Sequence, residues 1–315
     1  MSRSTTFRAT AFAALAACSG GDDAAALDAA ALDAALDGRP ESNGGFVTPF
    51  AVTKANTKSG GVWTEVGDAD WSCLGAPSTD QPSTGTIAIA GRITDFQTGN
   101  GVGDASITAW GTSPLMMLGT ASSSNVAATR GDFSMTLGML PSGTRRYGFT
   151  LIAVDHVSTV VLGRYYAPAN AATDTVAMIS QATALALPAF IGLARDPTKA
   201  VYIGEMRDCQ GRAVSNAVAG VSFVPSTFTN AGGETFYFSA GSTSLPVRHT
   251  VEPLMNNDGQ FTIVNVAPGS TLFVQVWGFR SLAELNAGTL TLLGEIAAPS
   301  QPDQYVSLRL DPRRT

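Results

Sequence analysis

The sequence predicts an all-β fold, two similar antiparallel β-sandwiches in tandem, preceded by an exported, low-complexity N-terminus. Three observations carry this. Runs such as "TIAIAGRI", "FSMTL", "FTLIAV", "FTIVNV" and "LFVQVW" alternate apolar and polar residues with period two, and Gly, Pro, Asn and Asp interrupt them at short intervals. Charged residues are only 14% of the chain while 33 glycines are present, a balance that suits turn-rich β proteins. Finally, the part after Gly85 repeats itself.

Taken from the start, "MSRSTTFR" carries Arg3 and Arg8 and no acid, and "ATAFAALAA" follows as a short apolar run, the layout of a secretory signal over 1–17. The run falls short of the roughly 20 apolar residues that span a bilayer. "LAAC", Leu15 to Cys18, resembles the lipobox of bacterial lipoproteins. The resemblance implies cleavage before Cys18, a diacylglycerol on its sulfur and an acyl chain on its new amino group. Two or more chains are what make such an anchor stable, because each buried methylene adds about 0.8 kcal/mol. Ser19 stands where inner-membrane retention in well-studied Gram-negative bacteria uses an aspartate, so the expected address is the outer membrane.

Without Arg3 and Arg8 the 19 basic residues become 17 against 25 acidic ones, a net charge of −8. That sign and the lack of a basic stripe argue against nucleic acid as a partner. Residues 18–45, with their Ala-Ala-Leu-Asp units, bury too little to fold and read as a tether. Residues 46–84 hold Trp63 and Trp71 and then a Pro/Ser/Thr run, an ordered strap followed by a linker.

The repeat spans 85–180 and 199–315. "IAGRITDFQTGNGVGDASI" (Ile89 to Ile107) matches "YIGEMRDCQGRAVSNAV" (Tyr202 to Val218): Gly91 with Gly204 and Asp95 with Asp208 at an offset of 113, then Gly99 with Gly211, Val102 with Val214 and Ala105 with Ala217 at 112. "GDFSMTLGMLPSG" parallels "GQFTIVNVAPG", and "LGRYYAP" parallels "LGEIAAP", in the same order. This succession of glycine, aspartate, turn glycine, valine and alanine, then Gly-x-Phe and Pro-Gly, resembles the carboxypeptidase regulatory-like domain, over about 86–168 and 199–311. The resemblance implies a transthyretin-like β-sandwich of the kind found in bacterial surface proteins, with no peptidase activity of its own. The first copy departs from it with Ser142 where the second has Pro268.

"NNDGQF" predicts a hairpin turn with Asp258 and Gly259 both at positive φ. Between the copies, 176–194 is apolar but contains Ser180, Gln181, Thr183, Pro188 and Gly192, which disfavours a lipid-facing span. A strand at about 175–179 and a short helix at about 181–187 are expected instead, within a connector at 181–198.

Once Cys18 is lipidated, Cys73 and Cys209 remain, and an exported chain with an even remainder invites a disulfide between them. Catalytic and metal-binding patterns are missing: His156 and His249 belong to no HExxH or cysteine pair, and neither a GxSxG elbow nor a phosphate loop occurs. No cofactor is implied. Ser158 beside His156 reads as a surface pair, and Asp95 and Asp208 read as carboxylates capping their own turns rather than as calcium ligands. Ligand contacts are sought among aromatics: Trp277, on the less buried face of "LFVQVWGF", and Tyr237 in "GGETFYFSAGS", inside a middle section 16 residues longer than its counterpart (128 against 112 between the aligned glycines). For Trp277, packing against the strap or the neighbouring domain is the plainer reading; stacking on a sugar is the sharper one.

The expectation is therefore a non-enzymatic, lipid-anchored envelope protein with binding or scaffolding domains and an envelope protein or glycan as partner. The alternatives are a carbohydrate-binding accessory lipoprotein and an envelope hydrolase with a dispersed site.

Overall fold

The computed structural model describes residues 46–78, 86–112, 115–138, 146–165, 173–239 and 245–315. The signal 1–17, Cys18, the tether, most of the linker after the strap and the "LPSGT" corner lie outside the described residues.

The strap opens with a hairpin, β1 (Lys54–Ser59) and β2 (Val62–Asp68), joined by Gly60-Gly61. Both glycines have positive φ, the requirement of the two-residue turn whose twist matches paired strands. Ala55, Ala69 and Trp71 are buried, and the Trp71 indole donates to Thr53 Oγ1 at 2.9 Å.

The first repeat contains β3 (Ile87–Asp95), β4 (Ser106–Thr112), β5 (Leu115–Ser122), β6 (Asp132–Leu137), β7 (Arg146–Ile152), β8 (Ser158–Tyr165) and β9 (Thr173–Met178). Strands β6-β3-β9 form one layer and β5-β4-β7-β8 the other. Alternation turns Ile89, Ile93, Phe133 and Leu137 inward from the first layer onto Ile107, Phe149 and Leu151 of the second. Phe149 meets Phe133 and Tyr147 edge-on, the arrangement aromatic pairs prefer.

Helix α1 (Gln181–Phe190) follows, with Ser180 Oγ accepting the Thr183 N–H at its start. Its buried Ala184 packs with Val201, Phe236, Val264 and Tyr305, so the helix covers the outer side of the large sheet. Among the described residues no helix is long and apolar enough to cross a membrane.

The second repeat has β10 (Ala200–Met206), β11 (Ala213–Ser215), β12 (Val218–Ser222), β13 (Glu234–Phe238), β14 (Pro246–Arg248), β15 (Gln260–Val266), β16 (Phe273–Gly278), helix α2 (Leu282–Ala287), β17 (Thr291–Ala297) and β18 (Gln304–Leu310). Its pairings reproduce the first: β15-β10-β18 answers β6-β3-β9, and β12-β16-β17 answers β4-β7-β8. Gly131 and Gly259 do the same work in each copy. Both have positive φ, and a Cβ on either would sit 2.3 Å from the Ile93 carbonyl oxygen or 2.8 Å from that of Met206. The copies part at the middle strand, since β5 adds to β4 while β13 adds to β15 on the opposite layer.

The two repeats share a sheet. β18 lies parallel to both β10 and β8, which joins one layer of each repeat into a nine-stranded sheet ordered β14-β13-β15-β10-β18-β8-β7-β4-β5. Gly163 of β8 is required at this seam: its φ is +79°, and a Cβ there would stand 2.5 Å from the Arg309 carbonyl oxygen. Arg146 pairs with Asp311 across the same seam at 2.5 Å.

Two expectations are corrected. The sheets are not purely antiparallel, because β3–β9, β10–β18 and β18–β8 run parallel. The last strand of each repeat enters the layer opposite its predecessor, so it lies beside the first strand in the same sense. And Asp258-Gly259 is not a positive-φ pair closing a hairpin. Only Gly259 has positive φ; it ends a turn in which its N–H reaches the Asn256 carbonyl, and Asp258 caps the Gln260 N–H.

Candidate binding site

Asp95 and Asp208 each organise the turn that follows them. Asp95 Oδ1 accepts the N–H groups of Gln97 and Thr98 and the Thr98 hydroxyl; Asp208 Oδ1 accepts those of Gln210 and Arg212. The second oxygens have different fates. Asp208 Oδ2 takes the Arg212 guanidinium and the backbone N–H of Asp70. Asp95 Oδ2 faces His156 Nε2 at 3.4 Å.

At Asp208 the strap is locked down. The Cys209 N–H donates to the Asp70 carbonyl, Gln210 Nε2 donates to the Asp70 carboxylate, and Cys73 and Cys209 are joined in a disulfide. The Gln210 contact, with the Ser72 N–H, holds the Asp70 carboxyl down at about 2. Residues 75–78 pair further with Arg313 and Thr315, which ties the strap to the end of the second repeat.

At Asp95 the same end of the first repeat is open. A cleft of about 730 Å³ is lined by Arg92, Asp95, Gly101, Gly103, Asn125 and His156, with Val154 on its rim. His156 Nδ1 lies 2.9 Å from the Val154 carbonyl, so the ring is held from one side and presents Nε2 to the carboxylate from the other. Asn125 Nδ2 donates to Asp104 at 2.5 Å. Hydrogen-bond donors and acceptors thus surround a rim that exposes Val154. Such a site can hold a polar chain or ring by hydrogen bonds.

The aromatic candidates fare differently. Tyr237 is fully buried, and its hydroxyl accepts the Ala219 N–H at 3.0 Å; burial pushes the phenol well above its ordinary value. It is a core residue and not a ligand contact, because β13 turns it between the layers. Trp277 is half-buried, with its indole N–H donating to Gln275 Oε1 at 3.2 Å. The face expected to be less buried is sealed at its centre: Gln275 is 0% exposed, and its amide donates to the carbonyls of Val224 and Thr227 and to Glu295. The loop after β12 folds over that face, and Phe228 stacks on Phe46 there.

His156 pairs with Asp95 rather than with Ser158, whose hydroxyl receives the Gln304 amide. His249 lies 3.9 Å from Glu234. Among the described residues no cluster of three or more His, Cys, Asp or Glu side chains is arranged to hold a metal. What motif reading missed is the cleft. Its signal was present in the aligned repeats, where "GVG" (Gly101 to Gly103) stands against "AVS" (Ala213 to Ser215), two glycines against which the Arg130 carbonyl and Asn125 pack.

No protein-family model matches the chain, and no curated protein matches it. Solved structures do. The Bacillus anthracis TIE protein is 7% identical with a TM-score of 0.24 over 72% of this chain and 34% of that one. The shaft pilin SpaA from Lactobacillus rhamnosus GG is 9% identical with a TM-score of 0.20, covering 73% and 98%, and a streptococcal ancillary pilin 8% with 0.22, covering 72% and 68%. The chain spans about a third of the TIE protein's length. At these scores the likenesses carry no argument about what the chain does.

Proposed function

We propose that this chain is a lipid-anchored protein of the cell envelope, held at the outer membrane, whose joined β-sandwiches bind or position a partner without catalysing a reaction. The observation that carries the reading is the disulfide between Cys73 and Cys209. It clips the segment arriving from the N-terminus to the second repeat, and such bonds persist where the compartment is oxidising. An anchor at Cys18 would pass any pull through the tether to this covalent clip and then into a continuous nine-stranded sheet. The polar cleft on the other repeat supplies a surface for the partner.

The test is expression of the full chain in a Gram-negative host, with mass analysis of its N-terminal fragment and membrane fractionation. The expected result is acylated Cys18 in the outer-membrane fraction, with Cys18→Ala released to the soluble fraction. A cytosolic product without acyl mass would overturn the anchoring. Turnover of envelope polymers by the purified chain would overturn the non-catalytic reading.

A further inference from the structure

The repeat provides its own reference for what the open cleft is built to hold. In the second copy, β11 is paired antiparallel by β1 of the strap, with Lys54 opposite Ser215, Ala55 opposite Val214 and Asn56 opposite Ala213. Beside it, Asn216 donates to the Val52 carbonyl, the Phe279 carbonyl accepts the Thr53 N–H, and Asp208 accepts the Asp70 N–H. Each of these positions has a counterpart in the first copy, and the counterparts line the cleft.

Gly101 to Gly103 correspond to Ala213 to Ser215. The isolated bridge Thr94–Gly101 answers Arg207–Ala213, and Val102 stands for Val214. Asp104 corresponds to Asn216, and both hold positive φ, +57° and +63°. The pairing Ser106–Ile152 answers Val218–Trp277, so Val154 corresponds to Phe279. Asp95 corresponds to Asp208. Of these, Asp95, Gly101, Val102, Gly103, Asp104 and Val154 all face the cleft.

The first copy therefore keeps the edge without the strand. Val102 N–H is taken by the Ile93 carbonyl, which turns the N–H and C=O groups of Gly101 and Gly103 the other way, and among the described residues no hydrogen bond takes them. Val154, where the strap's anchoring neighbour Phe279 is 1% exposed, is 86% exposed. An unpaired edge bordered by an exposed apolar residue, here Val154, is the arrangement that accepts an added strand.

We propose that the cleft of the first repeat is a strand-accepting site for an extended segment of a partner polypeptide, which pairs with Gly101–Gly103 as β1 pairs with Ala213–Ser215. The strap itself is not the occupant, since the disulfide and its own ladder hold it on the second repeat. Glycine at 101 and 103 lets the Arg130 carbonyl and the Asn125 side chain close over one face of this edge, 1.8 and 2.4 Å from where the Cβ atoms would stand. His156 stands beside the Asp95 oxygen equivalent to the one that receives Asp70, and so occupies the far end of the site. This proposal deepens the binding role proposed above, while it rests on the cleft alone.

The probe is a synthetic peptide with the strap's sequence 50–58, "FAVTKANTK", titrated onto the disulfide-bonded chain carrying Cys18→Ala, with backbone amide NMR as readout. Shifts and slowed hydrogen exchange are expected at Gly101 and Gly103 and not at Ala213 and Ser215. N-methylation at the peptide positions of Lys54 and Asn56 removes the pairing N–H groups and should weaken binding by about tenfold or more, while methylation at that of Ala55 should not. No shift at Gly101 and Gly103, shifts centred on another edge such as β2 or β5, or equal binding by all the peptides would overturn the proposal. So would a glycan that shifts those amides where the peptide does not. None of these outcomes bears on acylation of Cys18, which separates failure here from failure of the anchoring.

Discussion

Removing the disulfide with Cys73→Ser and Cys209→Ser tests whether the strap is held covalently or by its own contacts. The bond closes a loop of 136 residues. Chain entropy for a loop of that length gives about 5 kcal/mol of stabilisation at 25 °C, at the upper end of the about 2 to 5 kcal/mol that native disulfides contribute. That is a large part of the roughly 5 to 15 kcal/mol by which folded domains are stable. The folded state should survive the change, because β1 still pairs with β11, Thr53 still meets Phe279 and Trp71 remains buried. The assay is equilibrium unfolding in guanidinium of the oxidised chain against the double variant, with hydrogen exchange in 54–68 to locate the loss. The expected outcome is a fall of at least about 2 kcal/mol, with faster exchange in the hairpin than in β7 or β15. A change under about 1 kcal/mol would refute the reasoning, and with it the idea that an N-terminal anchor is coupled to the body through sulfur.

Three further outcomes follow from the geometry. Tyr237→Phe leaves the Ala219 N–H buried without its acceptor and should cost about 1 to 3 kcal/mol in denaturant unfolding, whereas Trp277→Phe, at a half-buried position, should cost less. Asp70 has a folded value of about 2 against an ordinary 3.8, so its contribution to holding the strap is fully present above about pH 4 and fades as pH falls through 2; an Asp70→Asn variant should lose that part of its acid sensitivity, read from paired acid-unfolding curves. Gly163→Ala forces a Cβ against the Arg309 carbonyl at positive φ, and should lower stability by about 1 to 3 kcal/mol in thermal unfolding.

Several elements were legible because their causes are local. The alternation of "TIAIAGRI" and "FTIVNV" sets strands with one face inward, and Gly131 and Gly259 recur because each must pass close to the same carbonyl of its own repeat. Asp95 and Asp208 cap turns through N–H groups two to four residues away, a range that sequence spacing reports directly. Two local signals were present but passed over: Gly60-Gly61 between "KANTKS" and "VWTEVGD" marks the strap hairpin, and Ser281, whose hydroxyl accepts the Glu284 N–H, caps the start of α2. Tyr237 was misplaced because alternation distinguishes two faces without saying which of them another layer will cover.

By itself, then, the sequence determined most strands, the turns capped by Asp95 and Asp208, the duplication and the two cysteines that bond, since each depends on neighbours close along the chain or on simple counting. Only the tertiary structure decided which edges meet. The seam of β18 on β8, the passage of β13 to the layer opposite that of β5, and the strap's place on one repeat and not the other depend on backbone groups that every residue carries, so no side-chain pattern announces them. The cleft is the consequence: two nearly matching turns, one covered and one open, told apart by a strand that comes from more than a hundred positions away.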